Sequence, residues 1–383
     1  AAPSRDRPEE HARGQHLLVG LRRGRIQRRA RERRLGEGRG TRLRPLTHTS
    51  AKQLVPVANK PVLFYGLEAL RDAGIREVGI IVGDTRAEIE AAVGDGSALG
   101  LDITIIPQSA PLGLAHAVLT AEEFIGDSSF VMYLGDNLLR DGITPLADEF
   151  RANSPDAMIL LQHVTDPQHY GVAELHNGRV VRLVEKPKEP KSDLALVGVY
   201  MFTSRIFASA RAISPSWRNE LEITDAIQHM VDLGLRVEPH VVTGWWKDTG
   251  QVGDMLEANR LILDVQETRI DGEVDAESIV EGRVVIEAGA RIVRSTVRGP
   301  AVIGAGTLIE DAYVGPYSAI SADCRVVRAE IEHSILWEGS SISDLDARVE
   351  SSLIGRQVQI GRTDEKPRAY RFILGDSSTI GLT

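Results

Sequence analysis

A loop of spaced glycines followed by arginine contains the first residues whose types suggest chemistry. Gly36, Gly38 and Gly40 alternate with other residues and lead directly into Thr41 and Arg42. Because glycine has no side chain, backbone N–H groups in such a loop can approach phosphate oxygens closely, and the forked arginine guanidinium donates to the same oxygens. The segment predicts a phosphate-binding loop, although spaced glycines alone are a weak signal.

A single aspartate follows an apolar run further along the chain. The run Phe130–Leu134 has the composition of a buried strand, and Asp136 comes directly after it with one glycine between. A carboxylate at the carboxyl end of a strand is well placed to bind Mg²⁺, which prefers hard oxygen ligands and keeps several waters. The sequence predicts a magnesium ligand at Asp136, with an ordinary turn aspartate as the alternative.

The elements that must position these residues alternate between helix and strand. Apolar residues recur at helical spacing in segments 62–73, 87–93 and 113–124, and continuous apolar runs occupy segments 78–82, 103–106 and 130–134. Strands without polar alternation are buried on both faces, which is typical of a parallel sheet covered by helices. The first two thirds of the chain are therefore predicted to be α/β with a mostly parallel sheet, whose ligands bind beyond the carboxyl ends of the strands.

The last third of the chain repeats with a period of 17 residues. A small residue such as Gly304 often follows the repeated apolar position, as a tight corner requires. The pattern resembles a left-handed parallel β-helix of hexapeptide repeats, whose stacked coils bury a shared core and expose flat faces to a partner. The repeated apolar residues, in steps of 6, 5 and 6, are Ile286, Ile292, Val297, Ile303, Ile309, Val314, Ile320, Val326 and Ile331.

The composition excludes several classes of protein. The chain has 383 residues, of which 42% are hydrophobic and 26% are charged, so it suits two or three folded domains and not a disordered chain. The apolar runs are shorter than the roughly 18 residues of a membrane span, and no membrane partner is expected. Cys324 is the only cysteine, which excludes an intramolecular disulfide and fits a reducing cytoplasm.

An arginine-rich arm, residues 1–35, differs from the rest of the chain. It carries eleven arginines and four acidic residues, a net charge of +7 that leaves −16 for the remainder. Such an acidic body argues against nucleic acid as the main partner, because binding a polyanion needs a basic surface. Three interpretations of the arm stay open: a disordered basic tail, a targeting presequence, or a stretch of out-of-frame translation.

Two further runs complete a recognisable signature after the glycine loop: KQLVPV at 52–57 and NKP at 59–61. The combination resembles sugar-nucleotide pyrophosphorylases. It is most similar to the glucose-1-phosphate thymidylyltransferases in the long form that carries an added C-terminal β-helix. The resemblance covers roughly residues 36–383. It implies a Rossmann-like nucleotidyltransferase domain at 36–265 and a left-handed parallel β-helix with its tail at 270–383.

The resemblance also assigns the catalytic and metal-binding residues. Arg42 and Lys52 are implied to be catalytic, by holding the triphosphate and stabilising the charge that builds up on the phosphorus and the leaving pyrophosphate. Asp248, in the run WWKDTG at 245–250, matches the second metal aspartate of the family. With Asp136 it is implied to hold the Mg²⁺ cofactor, a pairing that rests on the resemblance alone.

The implied nucleotide site combines the glycine loop with a second segment. In that segment, an amide side chain offers both a donor and an acceptor to a pyrimidine edge, and a glycine permits close backbone approach. A pyrimidine is therefore favoured, and the family prefers thymine. The nucleotide-binding residues implied by the resemblance are Gly38, Gly40, Thr41, Gln108, Pro111 and Gly113.

The implied sugar-phosphate site comes from four more runs: YGV at 170–172, EKP at 185–187, GVY at 198–200 and RNELEITD at 218–225. A backbone N–H and a carboxylate would bind sugar hydroxyls, while a lysine and an arginine would pair with the phosphate. The residues assigned to this site by the resemblance are Gly171, Glu185, Lys186, Tyr200 and Arg218.

The chain departs from the family pattern at its start. Glu37 stands where the family has its first loop glycine, and a carboxylate there repels an incoming triphosphate. Residues 30–35 read ARERRL where the family has an apolar first strand, and burying such charges costs several kcal/mol each. Either another segment, such as residues 17–21, supplies that strand, or the strand is absent.

The implied reaction converts dTTP and glucose 1-phosphate into dTDP-glucose and pyrophosphate with Mg²⁺. The resemblance also implies a homo-oligomer. Three alternatives stay open: a related pyrophosphorylase that uses UTP, ATP or GTP; an inactive copy, owing to the altered glycine loop; and an acyltransferase, since other β-helices of this kind have that activity. For the last alternative, the sequence offers His333 as a candidate base.

Overall fold

The computed structural model describes the backbone of His16–Gly20, Leu43, and residues 51–362 and 378–381. These residues divide into two compact units. The first contains the strand at 16–20, residues 51–52 and Gly66–Trp246, and the second contains Leu43, Gln53–Tyr65 and the chain from Lys247 onward. Most of the arginine-rich arm lies outside the described residues, as do Gly38, Gly40, Thr41 and Arg42.

The helices in the described part of the chain agree with the predicted periodicity. The predicted helix at 62–73 is found as Val62–Asp72, after which the backbone N–H of Gly74 donates to Arg71 O at a φ of +78°. The helices are α1 (Val62–Asp72), α2 (Arg86–Val93), α3 (Leu114–Thr120), α4 (Glu122–Ile125), α5 (Thr144–Asn153), α6 (Arg205–Ala212), α7 (Ile223–Asp232) and α8 (Val252–Leu263).

The strands before α8 include the apolar runs singled out in the sequence. They are β1 (His16–Gly20), β2 (Pro56–Val57), β3 (Lys60–Pro61), β4 (Glu77–Val82), β5 (Asp102–Pro107), β6 (Phe130–Leu134), β7 (Asn137–Leu139), β8 (Ala157–His163), β9 (Gly171–His176), β10 (Arg179–Glu185), β11 (Leu194–Phe202), β12 (Val237–Val241) and β13 (Trp246–Asp248).

The main sheet of the first unit is mixed. Its described strands run in the order β10-β9-β11-β6-β1-β4-β5, and β8 joins β11 to β12. The pairs β4–β5 and β8–β12 are parallel, and the other pairs are antiparallel. The sequence analysis predicted a mostly parallel sheet because the strands are continuously apolar. That pattern indicates burial on both faces of the sheet, and antiparallel strands can be buried in the same way.

The centre of this sheet is occupied by β1, which lies between β4 and β6 and is antiparallel to both. From the sequence, either another segment such as residues 17–21 supplies the first strand or that strand is absent. In the structure, His16–Gly20 supplies a strand at this position. Both faces of its neighbour β6 are buried, since the consecutive residues Val131 and Met132 are at most 1% exposed. The charged run at 30–35, where the family has its first strand, lies outside the described residues.

Helices α3, α6 and α7 form one hydrophobic core with strands β6, β8 and β11. The predicted single helix at 113–124 is divided at Ala121, whose N–H lies near the carbonyl oxygens of both Ala117 and Val118 in a tightened turn. Phe130 and Phe202 anchor this core, with ring centroids 5.7 Å apart. The core fixes the carboxyl end of β6, from which the chain continues into Asp136.

The second unit contains a parallel β-solenoid, as the 17-residue repeat predicted. Its described strands are β14 (Arg269–Ile270), β15 (Glu273–Val274), β16 (Ile279–Glu281), β17 (Val284–Ile286), β18 (Arg291–Val293), β19 (Thr296–Arg298), β20 (Ala301–Ile303), β21 (Leu308–Glu310), β22 (Tyr313–Val314), β23 (Ser318–Ile320), β24 (Arg325–Val327), β25 (Glu330–Glu332), β26 (Ile335–Leu336), β27 (Ser341–Ser343), β28 (Val349–Glu350), β29 (Leu353–Ile354) and β30 (Gln359–Gly361).

Successive coils of the solenoid stack in register. Ile286 pairs with Ile303 and Ile303 with Ile320, which is the repeat spacing read from the sequence. All nine predicted repeat residues are at most 1% exposed and share one core. Because each coil buries its apolar residues only against its neighbours, the repeat spacing directly sets the strand register.

Helix α8 and segment Gln53–Tyr65 complete the second unit by packing on one face of the solenoid. Leu256 and Leu263 of α8 share an apolar cluster with Val302 and Ala319. The side chain of Asn259 accepts from the N–H of Ala58 at 2.9 Å. This helix precedes the repeats in sequence and belongs to the same compact unit as the solenoid. Within the residues described, no helix is long and apolar enough to cross a membrane.

Candidate active site

A partly buried ion pair lies where β6 ends. Lys52 begins the short 3-10 turn Lys52–Leu54, and Asp136 follows Leu134 after one glycine. The Nζ atom of Lys52 lies 2.7 Å from Oδ2 of Asp136, with the two side chains 15% and 12% exposed. The structure thus brings together a predicted catalytic lysine and a predicted metal aspartate that are 84 residues apart in sequence.

A polar relay holds the second oxygen of Asp136. Asn137 donates from Nδ2 to Asp136 Oδ1 at 2.9 Å, and Trp246 donates from Nε1 to Asn137 Oδ1. Gly198 gives the amide room, since a Cβ there would lie 2.8 Å from Asn137 Nδ2. Sequence reasoning did not select Asn137, which directly follows Asp136, or Trp246, which stands inside the run WWKDTG.

The ring of Trp246 has an aromatic neighbour. Tyr170 packs edge-on against it, with ring centroids 5.4 Å apart and an interplanar angle of 65°. The carbonyl of Tyr170 also accepts from the N–H of Lys186 at 3.0 Å, where Lys186 has a φ of +43°. The residue before Gly171 is therefore tied both to the Asp136 relay and to the Glu185–Lys186 turn.

Glu185 is the centre of a second polar network. Its Oε2 accepts from the hydroxyl of Thr224 at 2.7 Å, and its Oε1 lies 3.2 Å from Nη2 of Arg218. Burial raises the pKa of the Glu185 carboxyl, while the Thr224 hydroxyl opposes that rise; nearby, the Glu222 charge adds to it and Arg218 reduces it. Thr224 and Glu222 were quoted within a run but not selected as site residues.

Gly171 and Tyr200, both predicted to bind the sugar phosphate, adjoin this network. A Cβ on Gly171 would lie 2.9 Å from Thr224 Oγ1 and 3.1 Å from Glu185 Oε2, so only glycine fits beside these groups. Tyr200 is 4% exposed and packs in the core. Burial first, and then the Glu185 charge, raise the pKa of the Tyr200 phenol above its ordinary value.

Arg218 is surrounded by carboxylates. Its Nη2 lies 2.8 Å from Glu222, 3.2 Å from Glu185 and 3.6 Å from Glu220. A cavity of about 610 Å³ adjoins the cluster and is lined in part by Glu185, Glu222 and Asp225. This volume falls in the range of small-molecule sites. The cationic group predicted to bind phosphate is thus held in place by acidic residues from its own segment and from β10.

The predicted base-reading segment joins β5 to α3. Gln108 follows β5 directly, and its Nε2 lies 2.9 Å from Nδ1 of His116 in α3. Gly113 has a φ of +101°, and a Cβ there would lie 2.5 Å from the carbonyl oxygen of Leu221. On either side of Gly113, the backbone of Leu221 donates to Leu112 O at 2.7 Å and accepts from the N–H of Ala115 at 2.9 Å.

These bonds connect two predicted sites. The segment that contains Pro111 and Gly113 is joined through Leu221 to the segment that contains Arg218. The sequence expected Gly113 to permit a close approach to a nucleotide base. In the structure, its close approach is to a neighbouring backbone, which alone is enough to require glycine.

The two predicted metal aspartates lie in different compact units, Asp136 in the first and Asp248 in the second. Asp248 closes β13, and Thr249 beside it is fully buried. Among residues 51–362 and 378–381, no group of three or more His, Cys, Asp or Glu side chains is arranged to hold a metal ion.

Comparison with known proteins adds to this geometry. The family model described as nucleotidyl transferase matches residues 35–265. The chain is 58% identical over 350 residues to a glucose-1-phosphate thymidylyltransferase of Streptomyces antibioticus, covering 91% of this chain and 98% of that one. It is 45% identical over 353 residues to a low-salt glycan biosynthesis nucleotidyltransferase, Agl11, of Haloferax volcanii, covering 91% and 99%.

A solved structure agrees with these sequence matches. The crystal structure of a putative glucose-1-phosphate thymidylyltransferase from Bacillus anthracis superposes with a TM-score of 0.57 at 34% identity. The match covers 61% of this chain and 94% of that one. The shared part is thus nearly all of the shorter protein.

The family model matches the part of the chain that contains the Lys52–Asp136 pair and every described strand of the main sheet except β1, and a parallel solenoid follows it, so the chain is a nucleotidyltransferase with an added solenoid. The chain belongs to the nucleotidyl transferase family, and two relatives that are 57–58% identical over at least 90% of it are named glucose-1-phosphate thymidylyltransferase. The resemblance read from the motifs is confirmed, and so is the predicted fold of a nucleotidyltransferase domain followed by a parallel β-helix, although most described pairs of the main sheet are antiparallel.

Proposed function

We propose that the chain is a glucose-1-phosphate thymidylyltransferase, which converts dTTP and glucose 1-phosphate into dTDP-glucose and pyrophosphate. The observation that carries this conclusion is the Lys52–Asp136 pair at the end of β6, in a chain 58% identical to an enzyme of that name. The pair offers a cation for phosphate oxygens and a carboxylate for a metal within one small site.

The chemistry needs little from acid or base groups. A phosphate oxygen of glucose 1-phosphate, already anionic near neutral pH, forms a bond to the α-phosphorus of dTTP. The bond from that phosphorus to the bridging oxygen of the β-phosphate breaks, and pyrophosphate leaves with the electron pair. Lys52 and, by resemblance, Arg42 stabilise the charge on the oxygens around the phosphorus, so catalysis consists of positioning and neutralisation.

Mg²⁺ is the metal that these residues suit. Asp136 and Asp248 provide the hard carboxylate oxygens that Mg²⁺ prefers, and Asp136 Oδ2 already has a cation, Lys52 Nζ, at 2.7 Å. These two aspartates would hold the ion, and when bound it would neutralise phosphate charge. The relay from Trp246 through Asn137 keeps the Asp136 carboxylate oriented whichever cation it faces.

The sugar phosphate is assigned to the Glu185 network. Gly171 would donate its backbone N–H to a sugar hydroxyl and Glu185 would accept from another, while Lys186 and Arg218 pair with the phosphate. Tyr200 would support Glu185 from the core. Of these five residues, Glu185 lines the cavity beside Glu222.

The nucleotide is assigned to the glycine loop and the segment from Gln108 to Gly113. Gly38, Gly40 and Thr41 would bind the triphosphate, and Gln108 would read the thymine edge. We also propose a homo-oligomer, which exposed solenoid faces support, and the reducing cytoplasm as the compartment. The latter is supported by Cys324, the only cysteine in the sequence, which is a free thiol in the structure.

The test is pyrophosphate release with Mg²⁺, glucose 1-phosphate and each of dTTP, UTP, ATP, CTP and GTP. We expect dTTP to give the highest kcat/KM, and Asp136→Asn to lower it roughly 100-fold or more. The matched control is Asp148→Asn, the same change at a side chain that is 68% exposed on α5, which should leave turnover unchanged. A higher kcat/KM with UTP, ATP or GTP would indicate a related pyrophosphorylase. No turnover from a folded sample would indicate an inactive copy.

A further inference from the structure

The side chain of Gln108 is held by a partner that no motif names. Its amide nitrogen lies 2.9 Å from Nδ1 of His116, which faces it from α3. An amide nitrogen only donates, so Nδ1 is the acceptor and the ring proton sits on Nε2. The Gln108 backbone is fixed as well, because its N–H donates to Val82 O at 2.8 Å.

The ring is suited to remain an acceptor. Burial lowers the pKa of His116, so the neutral form, which alone has a free nitrogen lone pair, predominates at neutral pH. One of the two amide protons of Gln108 is then engaged by the ring. The second amide proton and Oε1 are left for a ligand, with the oxygen and the nitrogen in a fixed order.

The fixed positions of the amide oxygen and nitrogen determine which pyrimidine base Gln108 can pair with. The N3 edge of thymine or uracil presents a donor at N3 beside carbonyl acceptors, whereas cytosine presents an acceptor at N3 beside a donor amine. A glutamine free to rotate its amide by 180° exchanges donor and acceptor and pairs with either edge. A glutamine whose nitrogen is held by an acceptor pairs well with only one, since the other base leaves polar groups unpaired.

We propose that His116 is a positioning residue that fixes the amide orientation of Gln108 and thereby makes the site select thymine or uracil over cytosine. The proposal rests on the proposed function, in which Gln108 reads the base. In this role His116 touches no substrate and acts through Gln108 alone.

Two substitutions separate this role from simple packing. His116→Leu removes the acceptor and keeps an apolar side chain on the helix. His116→Asp places an acceptor-only oxygen close to the position of Nδ1, near the start of α3, where an acidic residue is well tolerated. The measured quantity is the ratio of kcat/KM for dTTP to that for dCTP, with Kd values for both nucleotides obtained by calorimetry on the same samples.

We expect His116→Leu to reduce the dTTP/dCTP ratio of kcat/KM by about tenfold or more, mainly because kcat/KM for dCTP rises. A factor of this size corresponds to losing the discrimination that one hydrogen bond provides. His116→Asp should restore most of the ratio, even if its added charge raises KM for both triphosphates. If His116→Leu lowers activity with both nucleotides equally, or if His116→Asp behaves like His116→Leu, the positioning role is overturned.

The proposed function and the role of His116 are tested by different outcomes. The function is refuted if the wild-type chain, tested in parallel, forms no dTDP-glucose from dTTP. If the wild type is active and its dTTP/dCTP ratio equals that of His116→Leu, the function stands and the role of His116 does not. The calorimetric Kd ratio moves with the amide orientation whether or not a variant turns over, so a catalytically weak variant still decides the question.

Discussion

At the scale of residues, the site depends on partners that lie outside the motif positions. Asp136 is held by Lys52 and Asn137, and Glu185 is held by Thr224 and Arg218. The sequence predicted the types of most of these groups from their motifs. It did not predict which would touch, because the pairs are brought together by strand ends up to 84 residues apart and spacing carries no information about such contacts.

The network around Glu185 gives a pH prediction. Burial raises the pKa of this carboxyl, so as the pH falls it takes up a proton earlier than an ordinary glutamate and can no longer accept two hydroxyl bonds. Thr224→Val removes a hydrogen bond that favours the charged form. We expect the acidic limb of kcat/KM for glucose 1-phosphate to move to higher pH, with a loss of roughly tenfold at its midpoint in the wild type.

The control for this prediction is Thr203→Val, the same change at a threonine whose hydroxyl donates to Asp156 O. Its pH profile should overlay that of the wild type. The groups that face Glu185 are Arg218, Lys186 and Glu222, of which Glu222 raises the Glu185 pKa and the two cations lower it. An acidic limb that stays in place in Thr224→Val would show that Glu185 does not govern sugar-phosphate binding.

At the scale of elements, periodicity predicted the helices and strands well where apolar residues alone decide the structure. Helix α1 and strands β4 and β6 lie within a residue of their expected bounds. Two outcomes were not readable from the sequence. The placement of β1 depends on which segment fits an existing gap between β4 and β6, and the packing of α8 with the solenoid depends on a tertiary surface.

Gly113 lies where the loop before α3 contacts the segment at Leu221, and its substitution tests that contact. With a φ of +101° and only 2.5 Å from a new Cβ to Leu221 O, an alanine cannot fit unless the two backbone bonds beside it break. We expect Gly113→Ala to lower the free energy of unfolding by about 2 kcal/mol or more and to raise KM for both substrates. Urea denaturation and steady-state kinetics measure the two effects.

The appropriate control is Gly94→Ala, at the C-terminus of α2. Gly94 also has a positive φ, +57°, but nothing lies within 4 Å of a Cβ built there. It should show only the conformational cost of about 1 kcal/mol and unchanged kinetics. Equal losses in the two variants would mean that the contact with Leu221 does not hold the loop.

At the scale of the whole molecule, the solenoid is the part in which sequence and structure correspond most directly. A 17-residue step in sequence becomes one coil in space, since Ile292 stacks on Ile309 and Ile309 on Val326. Corner residues follow the same rule: Arg294 lies one step before Asp311 and pairs with it at 2.7 Å. These ion pairs are exposed, so the buried apolar column supplies most of the stability.

Stability of the solenoid should therefore depend on its central column and not on its first coil. Ile309 is fully buried with neighbours above and below, whereas Ile279, in the first described coil, is 52% exposed. We expect Ile309→Ala to cost about 2–5 kcal/mol of unfolding free energy, because the cavity cannot be filled by either adjacent coil, and Ile279→Ala to cost much less. Hydrogen exchange should rise first in β18, β21 and β24, the strands that stack on the altered residue. Equal losses for the two variants, or exchange that rises elsewhere before these strands, would contradict a core built from coil-to-coil contacts.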